Sequence, residues 1–301
     1  MNVVNLINAL PGAVAQGLIW GIMAIGVYIT FRILDIADLS VDGSLCTGGA
    51  VCIMMMQAGA NVWVAMTVAF IAGMLAGLVT GIFNTFFGIP AILAGILTQL
   101  GLYSVNLKIM GKSNQAINVD KYDLLVSLRF IKGVPFYKNT ILVVAIIIAI
   151  IIALLYWFFG TELGCSLRAT GCNENMARAQ GINTDFGRVL GLVISNGFVA
   201  FSGALLSQYQ GFADINMGRG AIVIGLAAVI IGEAIFGKIC TSFWAKLLLV
   251  TLGSVVYYFV LQIVIWLGID TDLLKLLSAL VVAVFLAVPV WKAKYFTTVK
   301  K

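Results

Sequence analysis

Residues 160–183 read Gly160-Thr161-Glu162-Leu163-Gly164-Cys165-Ser166-Leu167-Arg168-Ala169-Thr170-Gly171-Cys172-Asn173-Glu174-Asn175-Met176-Ala177-Arg178-Ala179-Gln180-Gly181-Ile182-Asn183. Long uncharged runs, 139–161 and 189–213, lie on either side. Each run is long enough for the ~20 apolar residues of a membrane-crossing helix, so the polar stretch sits at a membrane face. Within it Asn173 is a good N-cap, Glu174 puts an anion in the first turn, and Gly181 is a good C-terminal stop. The spacing predicts a two-turn helix over 174–180, with Met176, Ala177 and Ala179 as a small apolar surface. An ordinary loop helix is one reading. The other is a helix gripped from outside the bilayer, which makes the chain a transporter driven by a separate motor subunit.

Working outward, the composition supports the membrane. The 301 residues are 62% hydrophobic and 10% charged, against roughly 25% charged in soluble domains. Mean hydropathy is +1.09. Residues 1–31 and 43–107 carry no charge, and the second stretch must hold two or three spans. Nine hydrophobic segments are expected, at about 11–31, 41–57, 61–87, 90–108, 139–159, 187–209, 218–236, 242–268 and 273–291. Backbone polar groups in lipid must be satisfied internally, so these are helices. A barrel would need alternating ~10-residue segments, and runs such as 141–155 do not alternate. With no Lys or Arg ahead of the first segment, a cleaved secretory signal is not expected. The expected class is an all-α polytopic membrane protein.

Net charge is +6, but Lys292, Lys294, Lys300 and Lys301 form a tail after the last segment. That is a positive-inside anchor rather than a nucleic-acid site. The tail favours an outside N-terminus and an inside C-terminus. The polar stretch 108–138 reads as a partner-docking or interfacial segment, or as a plain solvated loop. Five cysteines show no metal spacing, and with no histidine there is no His-based metal site or general base. No catalytic residue, metal or cofactor is expected.

Small residues mark helix contacts. Gly73, Gly77 and Gly81 form consecutive GxxxG steps, as do Ala13, Gly17 and Gly21, and Gly187 with Gly191. Such steps let backbones approach closely, within one chain first and at a dimer seam second. A sparse repeat is also present. The run 37–43 resembles 213–219 at an offset of 176 residues. Five spans separate the two copies, so the halves would be inverted, a transporter pattern with binding at the interface of the halves.

The run Gly164 … Leu167-Arg168-Ala169 … Asn173-Glu174 … Ala177-Arg178 … Gly181-Ile182-Asn183 resembles the cytoplasmic coupling loop of permeases in the branched-chain amino acid and ribose ABC importer superfamily. Ser195, Ser202-Gly203-Ala204 and Gly211 fit that family's next helix. Asp38-Leu39-Ser40-Val41-Asp42-Gly43-Ser44 is similar to the sugar permeases' Asp-Leu-Ser-Val-Gly-Ser signature with Asp42 inserted, and the usual Gly-Gly pair of the penultimate region is here Gly232-Glu233. The likeness runs from residue 11 nearly to the end and is nearest to an amino-acid branch, aromatic amino acids included. It implies a type II-like permease in the bacterial plasma (inner) membrane. The permease would dimerise, an identical copy being the expected partner, dock two ATPase subunits through 164–183, and receive substrate from an extracytoplasmic binding protein. The domain reading is one permease domain, with a first half 1–159, a coupling loop 160–184, a second half 185–291 and a basic cytoplasmic tail 292–301. The coupling residues carried over are Gly164, Leu167, Arg168, Ala169, Asn173, Glu174, Ala177, Arg178, Gly181 and Ile182.

The residues agree that any motor is another chain. The stretch 232–238 has P-loop spacing, but Ile239 stands where Ser or Thr is required, in an apolar context. Polar groups inside apolar segments must face other helices or a cavity. For a substrate path these nominate Asp38, Ser40, Asp42, Ser44, Asn84, Asn196, Asp214, Asn216 and Glu233. Asp38, Asp42 and Asp214 stand at the ends of broken-looking helices, where half-helix N-termini can receive a carboxylate and nearby acids an amine. Glu233 is alternatively a partner of Lys238. Two other functions compete: an ion-coupled secondary transporter using Asp38, Asp42 or Glu233, and an intramembrane enzyme, which the absence of His disfavours. Within the importer reading, a sugar or nucleoside is the second choice of solute.

Overall fold

The computed structural model describes residues 3–119, 121–122, 124–131, 139–236 and 242–267, with scattered positions between 276 and 287. The ninth expected segment lies mostly outside the described residues. Lys238 and the 292–301 tail lie wholly outside them.

Each of the first eight apolar segments is a helix. They are α1 (Val3–Tyr28, continued by a π-helical turn Ile29–Ile33), α2 (Val41–Gln57), α3 (Val62–Thr85), α4 (Ala91–Met110), α5 (Thr140–Gly160), α8 (Thr184–Gln210), α9 (Ala221–Phe236) and α10 (Phe243–Trp266). Two short helices, α6 (Glu162–Cys172) and α7 (Glu174–Ala179), lie between α5 and α8. Among the described residues, six helices are long and apolar enough to cross a membrane. The 17 residues of α2, at ~1.5 Å each, fall short of the ~30 Å apolar layer, and the described part of α9 spans 16 residues.

Small residues let the bundle close around α8. A Cβ on Gly73 or Gly77 of α3 would fall on the carbonyls of Asn196 or Leu192, and one on Gly48 of α2 on that of Ala200. The α1 stripe is used the same way. Gly17 and Gly21 pack on Val255 and Thr251 of α10, and Gly26 on Ser195 of α8. These stripes are therefore consumed inside the chain.

Two features differ from the expected all-α picture. The stretch after α4 is not a solvated loop. Its strand β1 (Asn114–Ala116) pairs antiparallel with β2 (Phe212–Asp214), Gln115 opposite Ala213. Further on, Leu124 and Val126 are buried, and the Leu125 N–H donates to Gln208 Oε1 at 3.1 Å. Apolar residues spaced among the charges of 108–131 close one end of the bundle. At the other end α1 runs into its π turn, and Asp35 follows at φ 56°, a left-handed conformation that Asp tolerates better than most residues.

Candidate functional site

The break between α1 and α2 is sealed by a polar knot. Asp38 is 2% exposed. Its Oδ1 accepts from the Ser40 N–H at 2.9 Å and the Ser40 hydroxyl at 2.5 Å, and its Oδ2 accepts from Asn196 Nδ2 at 2.7 Å. Asn196 Oδ1 accepts from the Ser44 hydroxyl at 2.5 Å. Asn196 Nδ2 also donates to the Leu192 carbonyl at 3.0 Å. Buried polar atoms are tolerated when each finds a partner, and here they bind one another. Four of the nine nominated path residues thus join α2 to α8 through their own hydrogen bonds.

Asp42 faces elsewhere. From the first turn of α2 its carboxylate accepts from the Gly220 and Ile222 N–H groups at 2.9 and 3.0 Å, so it caps the start of α9, where the helix dipole favours an anion. α2 and α9 meet at their N-terminal ends. Asp38 and Asp214 repeat a local device across the 176-residue offset: each carboxylate accepts from the N–H two residues on, Ser40 at 2.9 Å and Asn216 at 2.7 Å. The parallel then lapses. α2 begins three residues after its Asp, whereas α9 begins seven after, behind a turn at 215–220.

The remaining nominees scatter. Asn84 donates to the Ile89 carbonyl at 3.0 Å and holds the α3–α4 turn. Asp214 ends β2, and Asn216 is exposed beside it. Glu233 pairs with Arg32 at 3.0 Å. Among the described residues its ion pair runs across to the end of the π turn, and the alternative partner Lys238 lies outside them.

The segment between α5 and α8 is more structured than a loop with one helix. Thr161 caps α6 through its side chain. Leu167 is fully buried, and a Cβ at Gly164 or Gly171 would strike the backbone of 158–159 or 33–34, so α6 lies flush across the ends of α5 and the π turn. Arg168 serves this seating. Its guanidinium donates to the Phe159 carbonyl at 2.7 Å and stacks on the Phe243 ring, 5.9 Å from its centroid. Ala169 is half-buried on the same helix.

The capped helix α7 follows as the sequence predicts. Asn173 Oδ1 accepts from the Met176 N–H at 3.1 Å. Gly181 stands at φ +81°, and the Gly181 and Ile182 N–H groups return to the carbonyls of Arg178 and Ala177, both at 3.0 Å. That pattern is a Schellman close. Glu174 is gripped by Arg178 at 2.9 Å and by Arg188, and Arg178 also binds Thr184 at 2.7 Å and Asp185 at 3.1 Å. Ala177 is buried beneath. Outward stand Met176, Leu163 and Phe186, 64%, 49% and 55% exposed. Leu163 and Phe186 were not among the nominated contacts. Their signal was a large apolar residue in a polar connector.

The chain is similar to several known proteins. Residues 10–289 match the model of the branched-chain amino acid transport system permease component. The chain is 38% identical over 283 residues to a tyrosine transport system permease protein of Clostridioides difficile, covering 93% of this chain and 91% of that one. It is 37% identical to an uncharacterized protein of Rickettsia prowazekii, covering 93% and 97%. An autoinducer 2 import system permease protein of Yersinia pestis is 29% identical, covering 70% of this chain and 58% of that one. Among solved structures, PsaBC from Streptococcus pneumoniae in complex with Fab aligns with a TM-score of 0.43 and 16% identity, covering 87% and 95%.

Proposed function

Because the chain belongs to the branched-chain amino acid transport system permease family, we propose that it is the membrane subunit of an ATP-driven importer of an amino acid, aromatic in the first instance. The observation that carries the coupling half of this reading is the α6–α7 unit. α6 is locked to the membrane helices by Arg168, Gly164 and Gly171. α7 is capped at both ends and clamped by ion pairs, and it turns Met176 outward. A push on α7 is therefore delivered to α5, the π turn and α8 rather than lost in a loop. The substrate half is supported by the relative named for tyrosine transport.

In this reading the α6–α7 unit faces the cytoplasm of a bacterial cell and meets an ATPase subunit. A second permease copy completes the pathway, with two ATPase subunits below it and a binding protein delivering solute from outside. Nine membrane segments in two inverted halves, α2 and α9 occupying corresponding places in them, complete the topology. ATP closes the ATPase pair, the two coupling units move together, and the pathway changes the side to which it opens. A pull-down of the tagged, detergent-solubilised chain from its native host tests this. An ATPase subunit should accompany the chain and be lost when 164–183 is replaced by a Gly/Ser linker. A preparation free of ATPase before the replacement would refute the reading.

A further inference from the structure

We propose that the cleft between α2, α4 and the 215–219 turn binds the zwitterionic head of an α-amino acid, Arg219 taking the carboxylate, and Asn106 with Asp42 the ammonium group. This rests on the importer reading and deepens it.

The cleft holds about 240 Å³ and is lined by Asp42, Gln99, Leu100, Tyr103, Asn106 and Arg219, among others. That is below the ~300–1,000 Å³ of sites for drug-sized ligands and suits one small solute. Gln99, Tyr103 and Asn106 are spaced four and three apart, so one face of α4 presents all three.

Asn106 points to a ligand. It is 1% exposed, and its Nδ2 makes one long contact of 3.5 Å with the Gly43 carbonyl. Its Oδ1 is buried with no partner among the described residues. Native structures rarely leave such an acceptor empty, and an ammonium group, with three donors and no acceptor, is suited to it. Asp42 lines the same cleft, its carboxylate accepting the backbone N–H groups of Gly220, Ala221 and Ile222 at the start of α9. A carboxylate has about four lone-pair sites, which leaves room for the same ammonium. Arg219 is exposed and makes no ion pair among the described residues. Its planar fork matches a carboxylate. Opposite charges in one small cleft fit a zwitterion. An uncharged sugar would match neither, and an amine or an acid alone would match one. Leu100 and Tyr103 supply a wall for an apolar or aromatic side chain.

The test is uptake of L-[³H]tyrosine, with a panel of the other amino acids, into ATP-loaded proteoliposomes. These hold the full chain, its co-purifying ATPase and its binding protein. Arg219→Gln and Asn106→Leu should each lower uptake at least about tenfold, as expected for losing a hydrogen bond to a charged group, while Arg219→Lys, which keeps the charge but not the fork, should lose clearly less than Arg219→Gln. Wild-type rates in both variants, or an equal loss in Arg219→Lys, would overturn the cleft assignment and leave the importer reading standing. Uptake of no amino acid by the wild-type complex would remove both. Where a variant does not assemble, Tyr103→Cys in the intact complex decides. L-Tyrosine should slow its alkylation by a maleimide, and tyramine, which lacks the carboxylate, should not. Equal labelling rates with and without L-tyrosine would refute the site.

Discussion

Replacing Asn196 with Leu isolates the Asp38 knot. The side chain is fully buried on α8 and holds Asp38 Oδ2 at 2.7 Å, the Ser44 hydroxyl at 2.5 Å and the Leu192 carbonyl at 3.0 Å. Leucine removes a hydrogen bond to a carboxylate, worth about 1.5–3 kcal/mol, and strands a buried hydroxyl at a further ~1–3 kcal/mol. The Leu192 carbonyl keeps its helical partner, so it adds little. The sum is roughly 3–6 kcal/mol, near the ~3–5 kcal/mol of leaving one buried charge without its partner. At ~2–4 °C per kcal/mol for a large domain, the apparent melting temperature should fall by about 6 °C or more. Size-exclusion chromatography of the heated, detergent-solubilised full chain measures this. The exchange Asp38→Asn with Asn196→Asp restores a donor opposite a carboxylate and should recover at least half of the loss. A shift of only ~2 °C in the single variant, or no recovery in the exchange, would refute the view that these residues bind one another rather than a solute.

Other outcomes follow from the same structure. Gly181→Val forces a β-branched residue to φ +81°, costing at least ~1–2 kcal/mol; it should fray α7 and reduce ATPase co-purification while the isolated chain remains folded by circular dichroism. Arg168→Glu loses the bond to Phe159 and the Phe243 stack, and puts a carboxylate against a carbonyl; ATP hydrolysis should persist while transport falls, as read in paired assays on the same vesicles. Arg32→Gln breaks an ion pair whose arginine is more than half exposed. Such pairs contribute ~0–1 kcal/mol, so thermal stability in detergent should scarcely move.

The elements of this fold were largely legible. The lipid requirement for internally bonded backbone turned each uncharged run into a helix, and Asn173 and Gly181 marked the ends of α7 correctly. What composition could not convey was the length of each helix: α2 has only 17 residues, and apolar content does not report where a helix starts in depth. α6 was hidden for the opposite reason: Gly164 and Gly171 look like helix breakers, yet they are the flat face on which α6 lies across 33–34 and 158–159. Of the nominated path residues Asp38, Ser40, Ser44 and Asn196 are buried, but spacing along the chain does not say which meet across it. Asp38 and Asn196 are 158 residues apart and share one hydrogen bond, while Asp42, four residues from Asp38, turns to α9. Asn106 and Arg219 were visible as residues, but only the folded chain brings them to one cleft.

The most direct test of the central claim is the energy source for uptake. Proteoliposomes with the chain, its ATPase and its binding protein should accumulate an amino acid only when ATP is supplied on the α7 side, and should continue to do so after ionophores collapse every ion gradient. Accumulation driven by an ion gradient in the absence of ATP would contradict the account.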